Sequence, residues 1–243
     1  MAEPALAPLI AIVGADGSGK STLAADLLAA LRAEGRRVEL CYLGLGTGDL
    51  GNRIKSWPLI GPLLERKLVS KADQARDREA KIPGLATALV IYRLSLVRRK
   101  RFRRVLALRR RGVTVLTDRY PQTEIPALFE GPGLSAARAG SAAIRRLAAR
   151  ERAIYEWMAR YVPDLVIRLN VDVETALARK PDHARVLIQR KVAVVPSLTF
   201  NGAPIVDLDA RRPYAEVKAA ALAAVGRVLG SAIDQPRALI RGQ

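Results

Sequence analysis

Five short apolar runs punctuate the chain, at 9–13, 38–43, 113–117, 165–169 and 203–206. They read as nearly continuous apolar segments rather than as alternating ones, the pattern of strands covered on both faces in a parallel sheet. Between them apolar residues recur at helical spacing and predict helices over 20–34, 84–111, 135–161, 173–179 and 214–229. Leu23, Leu27, Leu28 and Leu31, for example, fall on one helical face. Gly35, Gly112, Pro163 and Pro213 stand at the predicted boundaries. Strand alternating with helix predicts an α/β fold, a five-stranded parallel sheet with helices on both faces. The connection over 44–83 is less regular. It opens with GLGTGDLG, continues through Trp57, Pro58 and an apolar stretch at 59–64, and ends in a charged segment near 71–81 expected to be helical. A connection of that length between two sheet strands is usually functional, and we read it as part of a ligand pocket and its cover.

The first predicted strand runs directly into Gly14-Ala15-Asp16-Gly17-Ser18-Gly19-Lys20-Ser21-Thr22, which fits the phosphate-binding loop G-x-x-x-x-G-K-[ST]. Glycines let the backbone turn so tightly that successive N–H groups face one anion. The helix behind the loop adds its unpaired N–H groups and the positive end of its dipole. In that pattern Lys20 reaches β- and γ-phosphates, and the Ser21 hydroxyl is a ligand for Mg²⁺. The motif thus predicts a P-loop three-layer sandwich that binds ATP and Mg²⁺.

Composition narrows the setting. The chain has 243 residues, which suits one domain, expected over 1–233 with a loose tail at 234–243. Its single cysteine, Cys41, excludes an intrachain disulfide and a cysteine zinc cluster, and is expected to pack as a small apolar residue in a strand. The first eight residues lack the features of a secretory signal, and the longest nearly uncharged stretch, at 84–97, is too short to span a bilayer, so a reducing cytoplasmic location is expected. The 41 basic residues outnumber the 23 acidic ones, a net charge of +18 that favours anionic partners without choosing among them. Ten basic and no acidic residues fall between 93 and 111. Most are expected to snorkel from a helix that packs its other face, with one or two near its N-terminal half available to an acceptor phosphate. Docking on an anionic membrane is a further reading. Single-stranded nucleic acid is disfavoured, because aromatic residues make up only 5% of the chain.

A second chemical element lies at Val113 to Tyr120, VTVLTDRY, an apolar strand ending in Asp118-Arg119. Ligands of doubly wound sheets bind at the carboxyl ends of the strands, so this pair should face the phosphate loop. Asp118 can hold Mg²⁺ through water or orient the attacking group, and the planar fork of Arg119 suits a phosphate.

Four segments taken in order, GADGSGKST, DRYP, PDLVIRLNVDVETALARK from Pro163 and VDLDARRPYAEV from Val206, resemble the thymidylate kinases. The resemblance covers the first forty residues and most of the region after Gly112. It implies a kinase that transfers the γ-phosphoryl of ATP to a nucleoside monophosphate, with a short lid at 179–191. Lys20, Ser21 and Thr22 then match the ATP-phosphate and Mg²⁺ residues, Asp16 the acidic loop residue that meets the acceptor sugar, and Asp118 and Arg119 the pair beside acceptor phosphate and metal. Asp209 falls in the late turn near the adenine. Gly17 stands where some members carry a catalytic arginine, and members with glycine there supply arginine from the lid, for which Arg179 and Arg185 are the candidates. The resemblance is also compatible with a homodimer.

The departures cluster on the acceptor side. Val13 replaces a glutamate, Asn170 replaces an aspartate, Tyr42-Leu43-Gly44-Leu45-Gly46 stands where the family has R-E-P-G-G, and Pro121 to Pro132 lacks the serine and Y-Q helix. Another nucleotide, a sugar or a lipid-linked phosphate is therefore the rival acceptor. A nucleotide-dependent regulatory or nucleic-acid-associated protein is the rival of another class. His183, the only histidine, and Trp57 and Trp157 are given no functional role.

Overall fold

The computed structural model describes residues 6–44, 84–134 and 140–233, with the backbone alone for 231–233. Five parallel strands form one sheet in the order β2-β3-β1-β4-β5. They are β1 (Leu9–Gly14), β2 (Val38–Tyr42), β3 (Thr114–Asp118), β4 (Leu165–Asn170) and β5 (Ile205–Asp209). Helices α1 (Lys20–Ala33) and α6 (Tyr214–Ile233) cover one face. Helices α2 (Leu85–Arg110) and α3 (Ala142–Ala159) cover the other. Two shorter helices, α4 (Val173–Arg179) and α5 (Arg185–Val194), follow β4. The result is the three-layer α/β sandwich expected of a P-loop fold.

The central strand explains why the runs read as continuously apolar. All six residues of β1 are buried; Ile10 and Ile12 pack among the residues of α1 and α6, while Leu9, Ala11 and Val13 pack with α2 and α3. Strand β5 begins two residues later than predicted and runs to Asp209. Pro204, which has no N–H for the ladder, precedes it, and the polar residues Asp207 and Asp209 obscure the apolar signal of an edge strand. Helix α3 begins later than predicted, at a Ser141 cap whose side chain accepts from Ile144 N at 3.3 Å, and 135–139 lies outside the described residues. The expected segments at 44–83, apart from Gly44, and the tail at 234–243 also lie outside them. The stretch 179–191, expected as a lid, holds the end of α4 and most of α5. Cys41 is half-buried in β2 and packs on the α2–α3 side, as expected.

Two arginines of the basic segment point inward rather than snorkelling. Arg109 bonds the Ala7 carbonyl at 2.5 Å and Asp164 at 2.9 Å, and Asp164 also accepts from Leu9 N at 2.7 Å, fixing the entry to β1. Arg98 is 1% exposed and reaches the site described below. Trp157 packs edge-on against Phe102 and Tyr161, a packing role as expected.

The turn after β3 is held from within. The Gln122 side chain donates to the carbonyls of Ile125 at 2.7 Å and Leu128 at 2.8 Å, and accepts from Ile125 N at 2.8 Å. Farther along, the fully buried Glu151 of α3 accepts from Leu134 N at 2.6 Å, Gly133 N at 3.2 Å and Ser95 Oγ at 2.7 Å. One carboxylate therefore pins the end of this loop between α2 and α3. Each buried donor left unmet costs about 1–3 kcal/mol. Glu151→Leu, which keeps the volume, should lower the unfolding free energy by at least that much in urea titration; an unchanged midpoint would contradict this role.

Candidate active site

The glycine loop joins β1 to α1 at the carboxyl edge of the sheet. Gly17, with φ 82°, packs so closely on α4 that an added Cβ would lie 2.6 Å from the Ala176 carbonyl oxygen. No side chain fits there without moving α4, which accounts physically for the glycine. At Gly14 an added Cβ would lie 2.9 Å from the Leu169 carbonyl oxygen, so β4 also limits the loop. No side chain caps the start of α1, and its first N–H groups are left for a ligand. Ser18 is buried with its hydroxyl unpartnered among the described residues.

Strand β3 lies beside β1 with Asp118 opposite Ile12, which brings the two expected elements together. Ser21 Oγ donates to Asp118 Oδ2 at 2.6 Å. Asp118 Oδ1 is buried and has no hydrogen-bond partner among the described residues. A buried carboxylate oxygen without a donor, next to a hydroxyl, is a set of hard oxygens suited to a small divalent cation.

Asp16 is the crossing point of the site. Lys20 Nζ lies 3.4 Å and Arg119 Nη2 3.3 Å from its Oδ1, while Lys191 of α5 bonds its Oδ2. His183 Nε2 stands 3.9 Å from the same Oδ2. Burial opposes the charge on Asp16, but Lys191 and Lys20, joined by Arg119, outweigh it and hold the carboxyl far below the usual range. Lys20 itself is 7% exposed; burial and the repulsion of Arg119 draw its ammonium below the ordinary lysine value despite Asp16 and Asp118.

Arg119 sits at φ 73° and its partner Glu130 at φ 67°, both left-handed conformations that are costly for side chains of this size. They are bonded at 2.6 Å. Burial disfavours the Arg119 charge, yet Glu130 reverses the effect and raises the guanidinium further. On the far side Arg98 bonds the Glu130 carboxylate, the Leu43 carbonyl at 2.8 Å and the Tyr155 hydroxyl at 2.5 Å. Arg101 donates to the Gly44 carbonyl at 2.5 Å and lies over the Tyr42 ring. The basic helix thus contributes two arginines to the end of β2, and both are engaged by the protein itself.

The expected lid arginines separate. Arg179 reaches the loop, 3.3 Å from the Gly17 carbonyl and 3.0 Å from that of Ala210. Arg185 is held by Glu174 on the exposed surface, away from the loop. A cleft of about 220 Å³ opens along Ser18, Gly19 and Thr22 toward Arg179, Ala210 and Tyr214. Asp209 does not line it: its carboxylate turns to Arg211 at 2.7 and 2.8 Å. Lys191, Glu130, Arg98 and Tyr42 were not singled out by sequence. The stretch 179–191 holds five lysines and arginines, and only the turn of α5 distinguishes Lys191 from Arg185.

The chain is 47% identical over 222 residues to a protein of Escherichia coli named uncharacterized ATP-binding protein YghS, covering 91% of this chain and 93% of that one. It is 43% identical over 221 residues to uncharacterized ATP-binding protein YghR of the same species, covering 90% and 87%. No family model matches the chain.

Glu130 is likewise held below the usual carboxylate range: burial raises it, but Arg98 and Arg119 prevail. Unfolded carboxylates titrate near pH 4. Because the folded values of Asp16 and Glu130 are depressed, both groups stabilise the fold above about pH 4–4.5, and that stabilisation is lost as the pH falls through the folded values. The acid limb of the stability curve should therefore be shallower in Asp16→Asn than in wild type; identical limbs would contradict the assignment. Arg98→Met, which leaves the buried Glu130 with Arg119 as its remaining cation, should cost up to about 3–5 kcal/mol in urea titration, and Arg98→Met/Glu130→Gln should recover part of that loss.

Proposed function

Since the chain belongs to the same family as the E. coli ATP-binding proteins YghS and YghR, we propose that it is an ATP-dependent phosphotransferase related in design to the thymidylate kinases. The observation that carries this reading is the convergence of Lys20, Arg119 and Lys191 on Asp16 beside the Ser21–Asp118 pair. A protein that only binds nucleotide has no need for two cations, from β3 and α5, on the far side of the loop lysine. Catalysis of this type rests on positioning and charge neutralisation.

The loop N–H groups and Lys20 would hold the β- and γ-phosphates, and the cleft beside Arg179, Ala210 and Tyr214 would take the nucleoside. Ser21 and Asp118 would hold Mg²⁺, whose charge when bound offsets that of the β- and γ-oxygens. An acceptor oxygen attacks the γ-phosphorus in line, the bond to the β–γ bridging oxygen breaks, and ADP leaves. Asp16 and Glu130 are each tied to at least two cations, and Asp118, bonded to Ser21, would be committed to Mg²⁺, so none of the three would take a proton from an acceptor hydroxyl. That favours an acceptor whose oxygen is already ionised, a small phosphate ester such as a nucleoside monophosphate, over an unphosphorylated sugar. Arg119 is its nearest cation, and Lys191 takes the role expected of a lid arginine.

An ATP-consumption screen against nucleoside monophosphates, other phosphate esters and sugars tests the reaction. Lys20→Ala should lower kcat by about 10²–10³-fold with the fold intact. Lys191→Ala should lower kcat more than it raises the KM for ATP, with partial rescue in Lys191→Arg, whereas Arg185→Ala should leave kcat near wild type. Arg119→Ala should raise the acceptor KM about ten- to a hundredfold and leave that for ATP nearly unchanged. Full activity of Lys20→Ala on the true acceptor would overturn the mechanism.

A further inference from the structure

The basic charge is unevenly divided between the two helical layers. Helices α2 and α3 together carry thirteen basic and two acidic residues, while α1 and α6 carry four basic and two acidic. Of the two acids on the α2–α3 layer, Glu151 is buried and Glu156 is paired to Arg152 at 2.8 Å. Arg93, Lys100, Arg103, Arg104 and Arg110 of α2 and Arg145, Arg146 and Arg150 of α3 are exposed, and no ion pair joins them to another described residue. Arg98 and Arg109 are buried by their packing, whereas the charged heads of these eight face solvent.

Their arrangement is linear. At 3.6 residues per turn, Leu89, Arg93, Lys100, Arg104 and Arg111 fall within about 60° around the axis of α2, along a helix of about 39 Å. The stripe does not end in charge. Leu85 is 50% and Leu89 44% exposed, at its N-terminal end. A row of guanidinium and ammonium groups that begins with two exposed leucines fits a surface that is anionic at its face and apolar beneath. Cations are attracted by the lipid headgroups and leucines enter the acyl boundary. A nucleic acid offers the charge but no place for the leucines.

We infer that the α2–α3 face docks on an anionic lipid membrane, with the basic stripe of α2 against the headgroups and Leu85 and Leu89 inserted. Among the described residues no helix is long and apolar enough to cross a membrane, so the association is peripheral and reversible by salt.

Co-sedimentation of the full chain with vesicles of phosphatidylcholine containing phosphatidylglycerol tests the inference, with vesicles of phosphatidylcholine alone as control. Binding is expected to the anionic vesicles only and to fall steeply as NaCl is raised. Each basic residue at such a surface is worth about fivefold in partitioning, so Lys100→Ala/Arg104→Ala/Arg111→Ala should weaken binding about a hundredfold. Leu85→Ser/Leu89→Ser should weaken it with charge and salt slope unchanged. These positions are exposed, and an unaltered thermal melt shows that each variant is folded. No binding at low salt, equal binding to both vesicles, an unaffected triple variant, or tighter and leucine-independent binding to duplex DNA or RNA would overturn the inference.

Discussion

The 2.6 Å hydrogen bond from Ser21 to Asp118 joins residues 97 positions apart, and the rest of the site depends on what makes it achievable. It requires β1 and β3 to be neighbours in parallel register, so that the loop leaving one strand meets the residue ending the other. That adjacency follows from a sheet buried on both faces, whose central strand has no polar side to offer solvent. Once β3 is placed, Arg119 follows Asp118 into the crevice at a strained φ and settles between Asp16 and Glu130. Gln122 holds the loop between Arg119 and Glu130, and Glu151 pins its continuation at Gly133 and Leu134, so both left-handed residues sit in a braced segment.

From this follows a chain of alternating charge: Arg98, Glu130, Arg119, Asp16, then Lys20 and Lys191. It begins in the basic helix, crosses the end of β2 and ends on α5. Each carboxylate is bracketed by cations and each is thereby kept ionised. The excess of positive charge at its open end is what an incoming phosphate would meet. Arg98 is distant from the loop, yet the orientation of Arg119 rests on it through Glu130.

Much of this was legible in the residues. The five strands, the order of helix types, the phosphate loop and the pairing of Asp118 with it all follow from local periodicity and from motifs with fixed spacing. What was not legible depends on contacts across the chain. Nothing in the local composition separates Arg98, 1% exposed, from Lys100, which is exposed, since both lie in a run without an acidic residue. Arg185 and Lys191 belong to one helix and differ only in which side of α5 they leave, and Glu174 had already taken Arg185. Asp209 matched a turn by sequence, but the guanidinium two residues on claims its carboxylate, and the neighbouring Ala210 lines the cleft instead.

The central claim is that a phosphoryl group passes from ATP to an acceptor oxygen that is already ionised. The most direct measurement is ³¹P NMR of the protein with ATP, Mg²⁺ and a panel of phosphate esters and sugars. The account predicts that the γ-phosphate resonance of ATP is replaced, with one phosphate ester, by new phosphoanhydride resonances alongside those of ADP. A new phosphomonoester resonance from a sugar hydroxyl, or release of inorganic phosphate alone with every acceptor, would contradict it.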